Sequence, residues 1–527
     1  MKKQIYIVLG MLIGISAVVS ATSYYVATDG SDTNPGTIDQ PLASLQKGQE
    51  KASPGDTVFV RGGTYQVSAN AVSNVVSGLF ACVTYLDKSG QSGKRMHYFN
   101  YPGERPVFDF TLVKPSDRRV VGIYVNGDYI HIKGLEMTGI QVTITTHTES
   151  YCVYSRGNYN IYENLILHDN KGTGIRHYGG GHNLFLNCDA YRNHDDVSED
   201  GRGGNTDGFG CHPGDGGTGN VFRGCRAWFN SDDGFDCIRA REAITYENCQ
   251  AFYNGYSPVF KSLGDGNGFK TGGFAHDVAA DIPDHIPSHT VRFCLAVNNK
   301  ANGFYSNHHL NGNTWYNNTA YRNGVNYNMV NRESPESDNI NVNGYDHTLV
   351  NNLGYKARSS ETAYIDLSRN TLVTNSFNNS SVTVSDADFL ELNEYYITLP
   401  RNLDGTIPDN DFMHLAPGSD LIDAGTVTGK PYYGKAPDIG AFEYEPGEAY
   451  QPSAAVGFAI SPNPVKSYIN LDTDQYKDIK IIDATGKVSN SGSNLNKLDV
   501  SDLNTGIYIL KLITNNGNIL TTKFVKL

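Results

Sequence analysis

Positive charge is scarce in this sequence. Its 527 residues include 42 Lys and Arg against 55 Asp and Glu, which gives a formal net charge of -13. Nucleic acids and anionic membranes bind basic surfaces, so we expect neither as a partner. An acidic polysaccharide remains compatible with this composition, because a bound cation and a few local basic side chains can hold it.

Long apolar segments are missing after the first 21 residues. Those residues begin with Lys2 and Lys3, run apolar from Ile5 to Val19 and end in small residues, a pattern typical of a signal peptide. A membrane-spanning helix would need about 20 apolar residues, and no later segment supplies them. We therefore predict a signal peptide over residues 1–21 and a soluble, monomeric mature protein that is secreted or held at the cell surface.

Charged residues make up only 18% of the chain, whereas glycine occurs 56 times, a composition that favours strands and turns. One motif, Asn-Cys-x-Ala-aromatic-x-Asn with variations, recurs through the middle of the chain. Its closing asparagines are separated by 23, 37, 24, 45 and 24 residues. A basic step of about 23 residues with inserted loops predicts the coils of a parallel β-helix. The copies occupy residues 164–170, 187–193, 224–230, 248–254, 293–299 and 317–323.

Equivalent residues of successive coils should stack in columns about 4.8 Å apart. Four of the eight cysteines, Cys188, Cys225, Cys249 and Cys294, share one motif position and should form an interior column. We favour buried free thiols there over disulfides, since Cys is a good small core residue. The closing asparagines should form a second column, because Asn tolerates a left-handed corner and its amide can bond to the next copy.

A second motif, of the form Asp/Asn-Gly-Phe-x, follows the first in most coils. Its third residue should point inward and its fourth outward, which places Asp236 and Lys270 side by side on adjacent coils. Asp207 and Asp233 should share a further column at the start of the strand. The copies occupy residues 173–176, 207–210, 233–236, 267–270 and 302–305.

The ends of the chain differ from this repeat. Strands at 24–28 and 57–60 flank a short amphipathic helix, predicted from about 42 to 52, which would cap the first coil. We predict an all-β chain with a β-helix domain over 22–444 and a linker over 445–456. Short alternating strands over 457–527 predict a small β-sandwich.

Four carboxylates, those of Asp207, Asp232, Asp233 and Asp236, should converge from two adjacent coils. They would repel one another without a cation, and Ca²⁺, which takes 6 to 8 oxygen ligands, suits such a cluster. Turn chemistry alone explains Asp-Gly pairs, but it leaves Asp232 and Asp236 unexplained.

Lys270 lies one coil beyond Asp236. A lone lysine on a strand is most often a solvated residue, but a neighbouring Ca²⁺ disfavours its protonated form and so prepares it as a base. Arg239, Arg241 and Lys261 lie in nearby loops and are candidates to bind further carboxylates.

These residues resemble polysaccharide lyase family nine, whose members are right-handed parallel β-helices that include pectate lyases and rhamnogalacturonan lyases. The resemblance covers about residues 24 to 445 and rests on the runs 205–209, 219–236 and 264–273. It implies that Asp207, Asp232, Asp233 and Asp236 bind calcium and that Lys270 is the catalytic base. Residues 457–527 are similar to the C-terminal sorting domain of the Bacteroidetes type IX secretion system. This similarity implies that the type IX secretion machinery is a partner.

The sequence therefore predicts a secreted, calcium-dependent lyase that cleaves galacturonate-containing pectin by β-elimination. Three alternatives stay open: a rhamnogalacturonan I lyase, a glycoside hydrolase on the same architecture, and a non-catalytic sugar-binding β-helix. Four aspartates beside a lysine fit poorly with a hydrolase, which needs one carboxylic acid and one carboxylate.

Overall fold

A computed structural model describes residues 21–276, 281–333, 340–445, 460–461, 465–471, 476–483, 488–492, 497–514 and 519–526. The predicted signal peptide, apart from residue 21, and the predicted linker, apart from residue 445, lie outside the described residues. The chain divides into two compact units, one ending at Tyr444 and one starting at Glu445. None of the helices in the described part of the chain has the length and apolar character needed to cross a membrane.

The first unit is a parallel β-helix built from three long sheets, which we call A, B and C, and the coils after the first visit them in that order. Neighbouring strands pair in parallel, except for the first two strands of sheet C, which form an antiparallel hairpin. Sheet A contains Ser23–Val26, Thr57–Val60, Met96–Asn100, Ile130–Lys133, Ile161–Glu163, Leu184–Leu186, Asn220–Arg223, Ile244–Glu247, Thr290–Arg292, Thr314–Tyr316, Thr348–Val350 and Thr371–Val373. Sheet B contains Gly63–Gln66, Pro106–Asp109, Glu136–Thr138, Ile166–His168, Asp189–Tyr191, Arg226–Trp228, Gln250–Phe252, Leu295–Val297, Thr319–Tyr321 and Leu353–Tyr355. Sheet C contains Asn74–Val76, Phe80–Leu86, Arg119–Val125, Tyr151–Ser155, Thr173–Gly179, Phe209–Pro213, Phe235–Asp236, Phe269–Lys270, Asn302–Tyr305, Val325–Asn328 and Ser360–Ala363.

The repeat stacks its apolar residues inside the coils, as the alternation predicts. The phenylalanines of the second motif form a continuous column, with ring centroids 5.1 Å apart between Phe209 and Phe235, 4.7 Å between Phe235 and Phe269, and 5.2 Å between Phe269 and Phe304. All eight cysteines are buried and free, which confirms the prediction of thiols rather than disulfides. These columns make each coil depend on its neighbours for burial.

The closing asparagines lie in the turns that lead from sheet B to sheet C, and they form a ladder of side-chain hydrogen bonds from coil to coil. Asn193 Nδ2 donates to Asn230 Oδ1 at 2.9 Å, and Asn230 Nδ2 donates to Asn254 Oδ1 at 3.0 Å. The ladder was predicted, but its backbone was not: the left-handed residue is the one before each asparagine, as at Arg192 with φ 53°. The left-handed turn precedes the asparagine because the side-chain amide of the asparagine must point inward. There Asn193 Nδ2 also donates to the carbonyl of Leu167 at 3.2 Å.

The N-terminal cap is an α-helix over Leu45–Lys51, within the predicted range of 42 to 52. Ser44 caps it, because its hydroxyl accepts from the amide of Lys47 at 3.1 Å. A Cβ at Gly48 would lie 2.6 Å from a methyl of Val58, so glycine permits the helix to pack closely on the first coils. This cap covers the apolar end of the β-helix.

Residues beyond Val373 leave the coils and pack against sheet B, partly as the 3₁₀ helices Asp386–Asp388 and Glu394–Thr398. The buried carboxylate of Asp189 accepts from Arg226 at 2.7 Å and from Arg401 at 2.7 Å, which ties this segment to the coil. A further antiparallel pair joins Asn331–Arg332 to Asn341–Val342. The side chains of this segment after Val373 cover sheet B and do not extend it.

The second unit consists of two antiparallel sheets. Ile469 and Leu498 of the first sheet share one buried cluster with Ile481, Leu510 and Phe524 of the second, which is the packing of a small sandwich. The first sheet contains Ile460–Ser461, Tyr468–Leu471 and Lys497–Asp499, and the second contains Tyr476–Asp483, Val488–Gly492, Gly506–Thr514 and Ile519–Lys526.

Buried neutral histidines make the β-helix sensitive to acid. Burial lowers the pKa of His309 to about 4, and burial together with the neighbouring His309 lowers the pKa of His347 to about 3. Unfolded histidine has a pKa of about 6.5, so the unfolded chain binds protons more readily. The stabilisation from each neutral histidine is complete above pH 6.5 and is lost as the pH falls toward the folded-state pKa, which is about 4 for His309 and about 3 for His347.

We expect the stability of His347→Asn to be less sensitive to acid than that of the parent protein, because asparagine does not titrate in this pH range. The variant should still fold, since asparagine can accept from the amide of Asn313, as His347 Nδ1 does at 2.9 Å. The free energy of unfolding, measured with urea at pH 7.5 and pH 4.5, should fall by about 2 kcal/mol less in this variant. The exposed His147→Asn is the matched control. An equal acid-induced loss in all three proteins would contradict the prediction.

Candidate active site

The predicted site residues lie on the outer face of sheet C and in the loops that lead into it. Pairing places Asp236 opposite Lys270 and Gly210 opposite Asp236, so these residues follow one another on successive strands. A Cβ at Gly234 would lie 2.8 Å from the amide nitrogen of Asn254 in the asparagine ladder, so glycine is required where the loop meets the strand. The ladder and the Phe column thus position the functional side chains.

Three of the four predicted metal ligands form a compact group. Asp207, Asp232 and Asp233 are buried, and each offers a carboxylate oxygen within 4.8 Å of the others. Backbone amides orient two of them: Asp207 Oδ1 accepts from the amide of Asp233 at 3.1 Å, and Asp232 Oδ1 accepts from the amide of Asp265 at 3.0 Å. Asn267 donates to Asp233 Oδ1 from its amide and from its side chain, both at 2.7 Å.

Asp236, the fourth predicted ligand, lies beside this group and has other partners. Its Oδ1 accepts from the amide of Ile238 at 2.7 Å, and its Oδ2 accepts from Lys270 Nζ at 3.3 Å. Its role as a ligand stays a prediction.

The charge of the group is poorly compensated. Burial and then the charges of neighbouring carboxylates raise the pKa of Asp207 and of Asp232 well above the usual range. Burial raises the pKa of Asp233 as well, although Lys270 opposes this. Asp233 Oδ2 is buried, and Lys270 Nζ lies 3.0 Å from it. A hard cation that binds oxygen would relieve this repulsion and use this oxygen, so the three side chains fit a metal ion.

Lys270 is nearly buried, with 13% of its side chain exposed. Its Nζ lies 3.0 Å from Asp233 Oδ2 and 3.3 Å from Asp236 Oδ2. Burial by itself lowers the pKa of Lys270, but the carboxylates of Asp233, Asp236, Asp232 and Asp207 outweigh burial and hold the pKa well above its usual value. A cation bound to the aspartates would remove much of that effect.

Sequence reasoning missed two other polar side chains on this face. Arg176 is two strands from Asp236 in the same outward column, and His212 lies on the strand Phe209–Pro213. The second motif contained the signal for Arg176, since it is the fourth residue of the copy 173–176. Among the basic residues predicted nearby, Arg241 lies 3.4 Å from Asp215, and Lys261 is exposed in its loop.

Comparison with known proteins identifies the family. Residues 24–351 match the family described as "Pel9A-like, right handed beta helix region". The chain belongs to this family. The resemblance to polysaccharide lyase family nine and the right-handed parallel β-helix are therefore confirmed. Residues 459–527 match a secretion system C-terminal sorting domain, which supports secretion or a location at the cell surface.

Several relatives cover most of the chain. Pectate lyase L of Dickeya chrysanthemi is 34% identical over 81% of this chain and 92% of its own length. A solved rhamnogalacturonan lyase is 45% identical, with a TM-score of 0.73, over 75% of this chain and 97% of its own. The crystal structure of pectate lyase Pel9A is 32% identical, with a TM-score of 0.65, over 81% of this chain and 98% of its own.

Proposed function

We propose that this protein is a secreted, calcium-dependent polysaccharide lyase that cleaves galacturonate-containing pectin by β-elimination. One observation carries the proposal: Lys270 Nζ lies 3.0 Å from a carboxylate oxygen of the group that Asp207, Asp232 and Asp233 form. A base and a cation site are thus adjacent, as proton abstraction next to a carboxylate requires. The pectate lyase relatives support the substrate class.

The reaction removes the C5 proton of a galacturonate residue, which lies α to the carboxylate. Asp207, Asp232 and Asp233, and Asp236 if it too is a ligand, would hold Ca²⁺, which would supply positive charge to stabilise the negative charge that develops on the substrate carboxylate. Lys270 accepts the C5 proton through a neutral Nζ. The electron pair forms a C4–C5 double bond, the bond from C4 to the glycosidic oxygen breaks, and the leaving oxygen keeps the electron pair of that bond and takes a proton from water.

Asp233 and Asp236 position Lys270 for this step. Both carboxylates hold Nζ on the outer face of sheet C, and Asn267 and the amide of Ile238 fix the carboxylates in turn. Such orientation by neighbouring groups keeps a long, flexible side chain at one location.

A rhamnogalacturonan I lyase is the second candidate function, and the 45% identity to a rhamnogalacturonan lyase favours it. Elimination at the galacturonate is the same in both polymers, so the two functions differ only in the neighbouring sugars. Incubation with polygalacturonate and with rhamnogalacturonan I, followed by near-ultraviolet absorbance of the unsaturated ends, tests both. Saturated reducing ends alone would support the hydrolase, and no product from any pectic polymer would support a sugar-binding protein.

We further propose that the sorting domain directs export through type IX secretion machinery. Deletion of residues 457–527 should then leave the protein inside the cell. A monomer is the expected oligomeric state, and sedimentation of the purified protein tests it.

The rate should increase from mildly acidic to alkaline pH. Lys270 acts only when neutral, and its ordinary pKa is about 10.4. A cation bound to the aspartates lowers this pKa, but the aspartates raise it, so complete deprotonation at neutral pH is not expected. Initial rates on the better substrate at fixed Ca²⁺ measure the profile. An acidic optimum would contradict a lysine base and would favour a protonated carboxylic acid.

A further inference from the structure

A notch interrupts the outward column of sheet C next to the candidate active site. The column passes from Arg176 to Gly210, then to Asp236 and Lys270, on successive paired strands. Gly210 has no side chain to fill its place, and its backbone does not adopt a positive φ. The notch lies two strand spacings, about 9 to 10 Å, from the backbone of Lys270.

Arg176 forms one wall of the notch. A Cβ at Gly210 would lie 3.5 Å from Arg176 Cδ. Glu149 Oε2 accepts from Arg176 Nη1 at 2.9 Å and from the hydroxyl of Tyr151 at 2.5 Å. Among the described residues Glu149 is the one hydrogen-bond partner of this guanidinium, so Arg176 is held in place with donors to spare.

His212 forms the other wall and has an unused acceptor. Its Nδ1 lies 2.8 Å from the carbonyl oxygen of Ile238, which can only accept, so Nδ1 carries the hydrogen. Burial and the charge of Arg176 hold the pKa of His212 well below its usual value, so the ring is neutral and Nε2 is an acceptor. His212 is 5% exposed, and its Nε2 has no partner among the described residues. A Cβ at Gly210 would lie 3.0 Å from this atom, which places Nε2 in the notch.

An acceptor without a partner among the described residues, close to the cationic side chain of Arg176, selects for one kind of ligand group. A carboxylate has no proton for His212 Nε2, and Glu149 already balances the charge of Arg176. A sugar hydroxyl accepts from Arg176 and donates to Nε2 at once. The register partner of His212 is Tyr178, which is 45% exposed and adds a partly apolar edge suited to a pyranose ring.

We propose that Arg176, His212 and the space at Gly210 form a subsite that binds a hydroxyl of a neighbouring sugar of the polysaccharide. This inference rests on the proposed function and adds to it a determinant of substrate position outside the calcium and lysine site. Arg176 and His212 are positioning residues: they bind the chain beside the cleaved residue and do not touch the reacting atoms.

Two variants test the subsite. His212→Asn keeps a donor near the Nδ1 position for the Ile238 carbonyl and removes the acceptor at Nε2. Gly210→Ala keeps the imidazole and fills the notch with a methyl group. Gly214→Ala is the matched control, since a Cβ there meets atoms of Gly179 only at ordinary contact distances of 3.7 to 3.8 Å.

We expect His212→Asn and Gly210→Ala each to raise KM about two- to ten-fold with little change in kcat, because a hydrogen bond to bound substrate is lost equally in the ground and transition states. Gly214→Ala should match the parent. O-acetylated polymer lacks the hydroxyl proton, so the parent should discriminate against it and the two variants should not. Ca²⁺ affinity should be unchanged in all three variants.

A binding measurement separates this inference from the proposed function. Calorimetry measures the affinity of Lys270→Ala for an unsaturated or saturated pectic oligosaccharide, with and without His212→Asn. Absence of unsaturated products with the parent protein overturns the lyase assignment, whereas affinity and KM that do not change in folded His212→Asn and Gly210→Ala overturn the subsite.

Discussion

Replacement of Lys270 by alanine is expected to lower kcat at least about 100-fold, since a general base contributes about 10²- to 10⁴-fold. The lysine contributes no core packing and lies on the outer face of sheet C, so the coils should remain folded. Its Nζ is 3.0 Å from Asp233 Oδ2, and its positive charge opposes a cation at the same carboxylates. Lys270→Ala should therefore bind Ca²⁺ as tightly as the parent, or more tightly.

Steady-state rates and calorimetric titration with Ca²⁺ measure the two effects. Lys133→Ala provides the control, because Lys133 is also a strand lysine paired with a carboxylate, 2.6 Å from Glu163, but on sheet A. Near-parental turnover in Lys270→Ala would remove this residue from the mechanism. Weaker Ca²⁺ binding would contradict the electrostatic argument.

Removal of Ca²⁺ with a chelator is expected to abolish activity, and added Ca²⁺ should restore it. Ca²⁺ that binds only to the folded state also raises the free energy of unfolding, by about 2.7 kcal/mol when the free ion is at 100 times its Kd. In Asp232→Asn, both the activation by Ca²⁺ and the stabilisation by Ca²⁺ should be mostly lost. It removes one of three buried carboxylates whose oxygens lie within 4.8 Å of one another.

Asp236→Asn shows whether the fourth aspartate is a ligand. A loss of Ca²⁺ affinity comparable to that of Asp232→Asn would support the prediction from the sequence. Retained affinity with reduced kcat would instead assign Asp236 to the positioning of Lys270, which it contacts at 3.3 Å. Activity indifferent to chelation would leave the aspartates as turn residues and would overturn the calcium proposal.

Much of the site could be predicted from the sequence because a β-helix converts sequence spacing into spatial position. Once the two motifs are aligned, equivalent residues fall on neighbouring strands, and Asp236 is paired with Lys270 as the spacing predicts. The asparagine ladder and the free cysteines follow from the same stacking. The approximate location of the N-terminal helix follows from its amphipathic pattern.

Other features depend on contacts between loops of different length. Asp236 belongs to the same motif copy as Asp233. The group of carboxylate oxygens within 4.8 Å of one another nevertheless includes Asp233 and not Asp236. The subsite at Gly210 requires Glu149 to hold Arg176 across 27 residues of sequence. Spacing within a motif does not predict such pairs, because the inserted loops between coils have no repeat.

The sequence by itself predicted the repeating coils, the two domains, and the aspartates and lysine as candidate site residues. Each of these predictions depends on periodicity or on residue type. Only the tertiary structure decided which oxygens converge, that Lys270 is nearly buried between Asp233 and Asp236, and that His212 has an acceptor with no partner in the described part of the chain. The reason is physical. Stacking fixes backbone position along the column to within a strand spacing, whereas hydrogen bonding and burial depend on side-chain directions that only the packed coils and their loops establish.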